Sequence, residues 1–133
     1  MSIRERIVQA ISVAKTDVFL RQDFSALGST SQVTRVLRLL IDNGVIVRIS
    51  LGVYARAKLS VLTGNPIPAQ PIYVLAPEAL RRLGIEPRPS RLVRDYNEGK
   101  STQLPAESRI NIGKKRTKRK IGFGRSQTKY END

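Results

Sequence analysis

The residues best equipped for chemistry lie on one side of a short helical segment. Arginine pairs bidentately with guanine, and glutamine with adenine, in the major groove of duplex DNA. The free amides and dipole of a helix N-terminus also favour phosphate. No acid interrupts this side before Asp42. The pattern predicts a surface that reads base edges, with an ordinary solvated helix face as the alternative; the residues predicted to read bases are Ser31, Gln32, Thr34, Arg35 and Arg38.

The composition excludes several kinds of catalysis. The chain has no histidine to shuttle protons near neutral pH and no cysteine to act as a nucleophile, a disulfide partner or a metal ligand. The acids are scattered without metal-binding spacing, and no phosphate-binding loop or dinucleotide fingerprint is present. We therefore expect no enzyme, no cofactor and no metal, leaving open a magnesium-dependent nuclease with dispersed acids.

The charge indicates a polyanionic partner. The formal net charge is +13, and residues 100–133 alone hold 10 basic and 3 acidic residues. Basic groups release condensed counterions from a phosphate backbone. The tail shows no strongly amphipathic basic helix, so DNA and RNA suit the charge better than an anionic membrane. Within the tail we expect phosphate contacts, rather than a merely solvated turn, from Lys114, Lys115, Arg116, Lys118, Arg119 and Lys120.

These side chains must be positioned by a helix and a β-ribbon between Ser29 and Tyr54. An apolar stripe at helical spacing predicts one buried helix face. The hydroxyls from Ser29 to Ser31 are N-cap candidates, and Asn43-Gly44 predicts the helix end. Alternation then predicts a strand from Val45 to Ser50, a turn at Leu51-Gly52 and a returning strand over residues 53–55. The stripe consists of Val33, Val36, Leu37, Leu40 and Ile41.

The preceding residues complete a recognisable order. Ser2 and Glu5 form a capping-box arrangement before a helix expected over about residues 3–15. A short strand at residues 17–19 and a brief helix over residues 21–27 follow. The order helix, strand, helix, helix, strand, strand predicts a winged helix-turn-helix DNA-binding domain over residues 1–57. The residues predicted to contact the DNA backbone, in part from the wing, are Thr30, Arg48, Ser50 and Arg56; a purely structural wing is an equal alternative.

Residues 58–133 are predicted to form connector helices and a basic, β-rich extension. Prolines favour a non-helical connector over residues 58–71. A helix is expected in the second half of residues 72–83, with Pro77 in its first turn. Another short helix, capped by Ser90, is expected over residues 88–97, with short strands in the tail beyond. The whole is therefore expected to be an α+β protein. No segment is apolar enough to span a membrane, and we expect a cytoplasmic protein.

Residues 18–58 resemble a known family. The patterns DF..LG and S..QV.R.L..L...G.I.R...GVY resemble the N-terminal winged helix of AbiEi-type antitoxins from type IV toxin–antitoxin systems. The segments EALRRLG, DYNEG, STQLP, RINIG and RKIGFG resemble an associated bacterial family of antitoxin-like proteins. The resemblance implies operator binding by the helix from Ser31, and a nucleotidyltransferase-like toxin as genetic partner. The longer C-terminal domain of AbiEi-type antitoxins has no counterpart here, so direct contact with a toxin is not expected.

The expected function is therefore sequence-specific binding of double-stranded DNA by a transcriptional repressor of antitoxin type. An RNA-binding or ribosome-associated protein suits the composition equally, and a protein-interaction module built on the same scaffold is a third reading. A homodimer is plausible, because twofold half-sites lie about one helical turn apart.

Overall fold

The fold is described from a computed structural model. It describes residues 2–89, 99, 109–117 and 119–132. The α+β class predicted from the sequence is confirmed. The chain divides into two compact units, residues 1–71 and 72–133. The first contains α1 (Ile3–Val13), β1 (Val18–Leu20), a 3-10 helix (Arg21–Leu27), α2 (Thr30–Asp42), β2 (Ile46–Ser50), β3 (Val53–Leu59) and β4 (Pro66–Pro68).

Both α-helices of the first unit begin at serine caps. The Ser2 hydroxyl accepts a hydrogen bond from the Glu5 amide at 3.1 Å, as the sequence predicts. At α2, the Ser29 hydroxyl accepts from the Gln32 amide and the Gln32 side-chain oxygen accepts from the Ser29 amide, at 3.2 and 3.0 Å. This reciprocal pair satisfies two amides that the helix itself leaves unpaired.

Two glycines fix the path of the chain around α2. Gly44 has φ +75°, and the amides of Gly44 and Val45 bond back to the carbonyls of Ile41 and Leu40. This pairing is a Schellman ending, which confirms the predicted glycine stop. Gly28 instead permits close approach, because a Cβ there would lie 3.0 Å from Ile3 Cδ1.

The sheet of the first unit is antiparallel, with strand order β1-β3-β2 and β4 paired to the far part of β3. Phe19 lies opposite Tyr54, and Tyr54 lies opposite Arg48. Residues opposite each other share a face. Tyr54 and Phe19 pack with both helices, so Arg48 lies on the helix-bearing face.

The core between helices and sheet follows the predicted apolar stripes. Ile7 and Ile11 of α1 are buried, as are Val33, Leu37 and Leu40 of α2. Phe24 of the 3-10 helix packs with them, its ring centroid 6.2 Å from that of Phe19. Burial of this stripe leaves the opposite side of α2 exposed.

Several boundaries differ from the sequence-based expectation. Helix α1 ends at Val13 rather than near residue 15, and the second helix is a 3-10 helix. β3 continues to Leu59 and pairs with β4, so the division between units falls after residue 71 rather than after residue 57.

The second unit begins with α3 (Ile72–Arg82), followed by β5 (Arg88–Pro89), β6 (Arg109–Asn111), β7 (Gly122–Phe123), β8 (Ser126–Gln127) and β9 (Lys129–Glu131). β5 pairs antiparallel with β6, which pairs parallel with β9, while β7 and β8 form a hairpin. The predicted short strands in RINIG, RKIGFG and QTKYE are confirmed.

The helical predictions for this unit need two corrections. Pro77 lies inside α3 rather than in its first turn, because the helix already starts at Ile72. Arg88 and Pro89 are extended in β5 rather than helical. The rest of the helix predicted over residues 88–97, and the STQLP segment, lie outside the described residues. None of the described helices has the length and apolar character needed to cross a membrane.

Candidate nucleic-acid interface

The exposed side of α2 is the first part of the candidate site. Arg35 and Arg38 are exposed, and within the described residues neither forms a hydrogen bond or an ion pair. A shallow concavity of about 640 Å³ lies beside them, lined by Ser29, Thr30, Ser31, Thr34, Arg35 and Arg38. All of these side chains can donate hydrogen bonds, and none is acidic. The lining can therefore bind the acceptor groups of a base edge or a phosphate.

Five of the six predicted residues at this end of α2 line the concavity, but Gln32 does not. Its side-chain oxygen accepts from the Ser29 amide, and the Cβ position of Gly28 lies 3.3 Å from the same oxygen. A bidentate contact with adenine needs both the oxygen and the nitrogen of the amide. The structure therefore gives Gln32 a capping role, which leaves chiefly its NH₂ group to donate outward.

The turn between β2 and β3 presents basic groups. Arg48 is exposed on the helix-bearing face and has no partner among the described residues. The Arg21 amide donates to the Gly52 carbonyl at 3.1 Å, which holds the exposed Arg21 beside the turn. Leu51 at the tip is 79% exposed. Sequence reasoning missed Arg21, because only the pairing of β1 with β3 brings it to this turn.

Two residues assigned to the DNA backbone are used inside the protein instead. Ser50 is only 7% exposed, at a register irregularity between β2 and β3. The Arg56 guanidinium donates to the Ala14 carbonyl at 2.7 Å and pairs with the Asp17 carboxylate at 3.3 Å. It also lies 5.1 Å from the centroid of the Phe19 ring. Arg56 thus joins the end of α1 to the sheet; Ser50 is buried, and Arg56 is only partly exposed.

The basic run of the second unit forms the connection between β6 and β7. The Asn132 side chain donates to the carbonyls of Gly113 and Lys115, at 3.0 and 2.6 Å. The Tyr130 hydroxyl donates to the Arg119 carbonyl at 3.0 Å. Burial raises the pKa of Tyr130, and the positive charge of Arg119 offsets part of that rise. The connection is therefore held to the protein at both ends.

The side chains of this run have different environments. Lys114, Arg116 and Lys120 are exposed, while Arg119 is half-buried. The Lys115 ammonium donates to the Gly84 carbonyl at 2.8 Å, where a cation complements the C-terminus of α3. Lys118 lies outside the described residues. Four of the six predicted phosphate contacts are thus described and exposed, although Lys115 among them already donates to a backbone carbonyl.

The second unit also contains a groove of about 520 Å³. Its apolar walls include Ile72, Tyr73, Pro77 and Ile110, and Arg109 lies at the groove. Arg81 and Arg88 also line the groove, as do Gln127 and Thr128, so its lining is mixed rather than purely apolar. Among the described residues, no group of acidic side chains could hold a metal ion.

Comparison with known proteins assigns the chain to a family. No curated protein matches the chain. A family model described as "Family of unknown function (DUF6088)" matches residues 3–132, which is nearly the whole chain. The chain therefore belongs to the family of unknown function DUF6088.

Proposed function

We propose that the protein binds double-stranded DNA in a sequence-specific manner and acts as a transcriptional repressor. The observation that carries the proposal is the exposed side of α2, where Arg35 and Arg38 have no described partner and adjoin a concavity without acids. The 3-10 helix and α2, joined at Gly28 and Ser29, would form the helix-turn-helix, and β2 and β3 the wing. In this arrangement α2 enters the major groove.

The revised surface assigns roles residue by residue. Arg35 and Arg38 would contact base edges, Thr34 and Ser31 would contact bases or phosphates near the start of α2, and Thr30 would lie against the backbone. The wing contact would come from Arg48 together with Arg21, in place of Ser50 and Arg56. The exposed basic residues between β6 and β7 would bind phosphates without regard to sequence.

The antitoxin part of the proposal is supported only by the DF..LG and G.I.R...GVY patterns. It implies a protein that represses its own operon in the cytoplasm, with a nucleotidyltransferase-like toxin as genetic partner. Co-expression with the product of a neighbouring toxin-like gene, followed by a growth assay, tests this part separately. If the toxin-like product inhibits growth and co-expression of this chain does not relieve the inhibition, the antitoxin role is refuted and only the repressor role remains.

Selection of bound duplexes from random DNA tests the central claim. We expect a reproducible motif, and Arg35→Ala should lose about 1–3 kcal/mol of discrimination at one base pair. Lys58→Ala is the matched control, because it removes one exposed charge from β3 near the hairpin with β4. The groove assignment is refuted if Arg35→Ala binds the selected site as tightly as the wild type, or if both variants weaken binding equally.

Gln32→Glu separates the capping role from the binding role. Glutamate can replace glutamine in a capping box, so the free energy of unfolding should hold within about 0.5 kcal/mol. The new negative charge should weaken binding to every duplex, since it would face phosphate or base acceptors. Unchanged affinity at unchanged stability would mean that the start of α2 does not approach DNA.

Structured RNA at the same salt concentration is the necessary competitor. A protein that is specific for duplex DNA stays bound to its selected site in the presence of excess RNA. Displacement by RNA, with no reproducible DNA motif, would instead identify an RNA-binding protein.

A further inference from the structure

A second concavity, of about 530 Å³, lies in the second unit beside the basic connection between β6 and β7. Among the described residues no carboxylate lines it. The described residues that line it all carry hydrogen-bonding or cationic side chains, namely Thr117, Arg119, Lys120, Gln127, Thr128 and Tyr130. Such a lining suits a small oxyanion better than an apolar ligand.

One hydroxyl in this lining has no partner. The Thr128 hydroxyl oxygen is buried and makes no hydrogen bond with the described part of the chain. Buried polar groups are nearly always paired, so an unpaired one needs an explanation. Thr117 adds a second available donor, because its oxygen accepts from the Arg119 amide at 3.1 Å while its own O–H can still donate.

The backbone around this concavity is already in place. The hydrogen bond from Tyr130 to the Arg119 carbonyl fixes one wall, and Asn132 holds the start of the connection. On the hairpin side, the Thr128 amide donates to the Ile121 carbonyl at 2.9 Å. A binding loop that is already ordered loses less conformational freedom when its ligand binds.

We propose that this concavity is a phosphate-binding pocket for a nucleic-acid backbone. Lys120 would supply the charge, and the hydroxyls of Thr128 and Thr117 would donate to the phosphate oxygens. The choice of a nucleic acid as the source of phosphate rests on the proposed function. The pocket reads no sequence, so it adds affinity to every duplex alike.

Thr128→Val is the sharpest test, because it removes the hydroxyl without changing charge or overall shape. Affinity for a duplex of random sequence should fall about tenfold or more, the effect of one hydrogen bond to a charged acceptor. The slope of log affinity against log salt should not change, since no counterion contact is lost. The melting temperature should stay level or rise, because an unpaired buried hydroxyl is removed.

Lys120→Ala should weaken binding and also lower the magnitude of the salt slope by about one. Arg125→Ala is the matched control, because Arg125 is exposed in the turn between β7 and β8 but does not line the pocket. The proposal is overturned if Thr128→Val binds as tightly as the wild type, or if Arg125→Ala weakens binding as much as Lys120→Ala.

The phosphate source and the proposed function can be separated in the same experiment. Inorganic phosphate and duplexes with or without 5′-phosphates are titrated while the Thr128 amide resonance is followed. A response to every duplex supports a backbone phosphate. A response confined to inorganic phosphate or to phosphorylated ends overturns the backbone assignment. If Arg35→Ala has no effect while Thr128→Val weakens binding, the pocket stands and the α2 assignment fails. If Thr128→Val has no effect while Arg35→Ala weakens binding, the α2 assignment stands and the pocket is overturned.

Discussion

Replacing Arg56 should lower the stability of the protein rather than weaken the proposed contact with DNA. The side chain is 27% exposed and makes three interactions, with the Ala14 carbonyl at the end of α1, with the Asp17 carboxylate and with the Phe19 ring of β1. A hydrogen bond from a charged donor to the Ala14 carbonyl contributes about 1.5–3 kcal/mol. The contact with the Phe19 ring adds about 0.5–1 kcal/mol. The ion pair adds little, because the Asp17 side chain is 42% exposed and solvent screens it.

We therefore expect Arg56→Ala to lower the free energy of unfolding by about 2–4 kcal/mol, a large share of the roughly 5–15 kcal/mol typical of a domain. Urea unfolding followed by circular dichroism gives this quantity directly. Arg48→Ala is the matched control, since it removes an exposed arginine without described partners and should stay within about 0.5 kcal/mol. The DNA affinities should show the opposite order, because Arg48→Ala should bind DNA more weakly than Arg56→Ala once both variants are folded.

A double-mutant cycle isolates the ion pair. Combining Arg56→Ala with Asp17→Asn should show a coupling of at most about 1 kcal/mol, which would leave the carbonyl and the aromatic ring as the larger partners. Arg56→Lys keeps the charge but loses the planar donor geometry, so it should recover only part of the stability. Wild-type stability in Arg56→Ala, together with weakened DNA binding, would contradict the stabilising role of Arg56 and restore the prediction that it contacts the DNA backbone.

Three further changes test how α2 and the basic connection are held. Ser29→Ala should cost about 1 kcal/mol in chemical denaturation, because the Gln32 amide loses its acceptor. Gly44→Ala should cost about 1–2 kcal/mol in left-handed backbone strain; Gly52→Ala carries similar strain in open space, so any excess at Gly44 measures crowding against Pro66. The raised pKa of Tyr130 means that the folded chain keeps this proton to higher pH than the unfolded chain. The stability it contributes is complete below the unfolded pKa and is lost as pH rises through the folded pKa, so alkaline unfolding of Tyr130→Phe should lack that decline.

Much of the first unit could be predicted from local patterns. The apolar stripe of α2, its serine cap and its glycine stop are all predicted from residues close together in the sequence, and the structure confirms each of them. The α1 cap at Ser2 is confirmed for the same reason. These features depend on residues within about one helical turn, where spacing determines contact.

The predictions that failed depended on pairing between distant segments. Ser50 follows Arg48 at alternate spacing, yet a register irregularity at β3 leaves it buried. The sequence predicts Pro77 in the first turn of a helix because proline favours that position. In the structure α3 already starts at Ile72, which is buried. Strand register and tertiary burial override local preference at such positions.

The difference between Arg56 and Arg35 shows what a sequence alone could not decide. Both are arginines next to an apolar residue in the sequence, and both suit a phosphate or a base. The pairing of β3 with β1 brings Arg56 beside Ala14, Asp17 and Phe19, whereas the stripe that buries the other side of α2 turns Arg35 toward solvent. A side chain whose donors already form hydrogen bonds within the protein has few donors available to bind a ligand. Function is therefore better argued from Arg35 and Arg38, whose donors no described group uses, than from the count of basic residues.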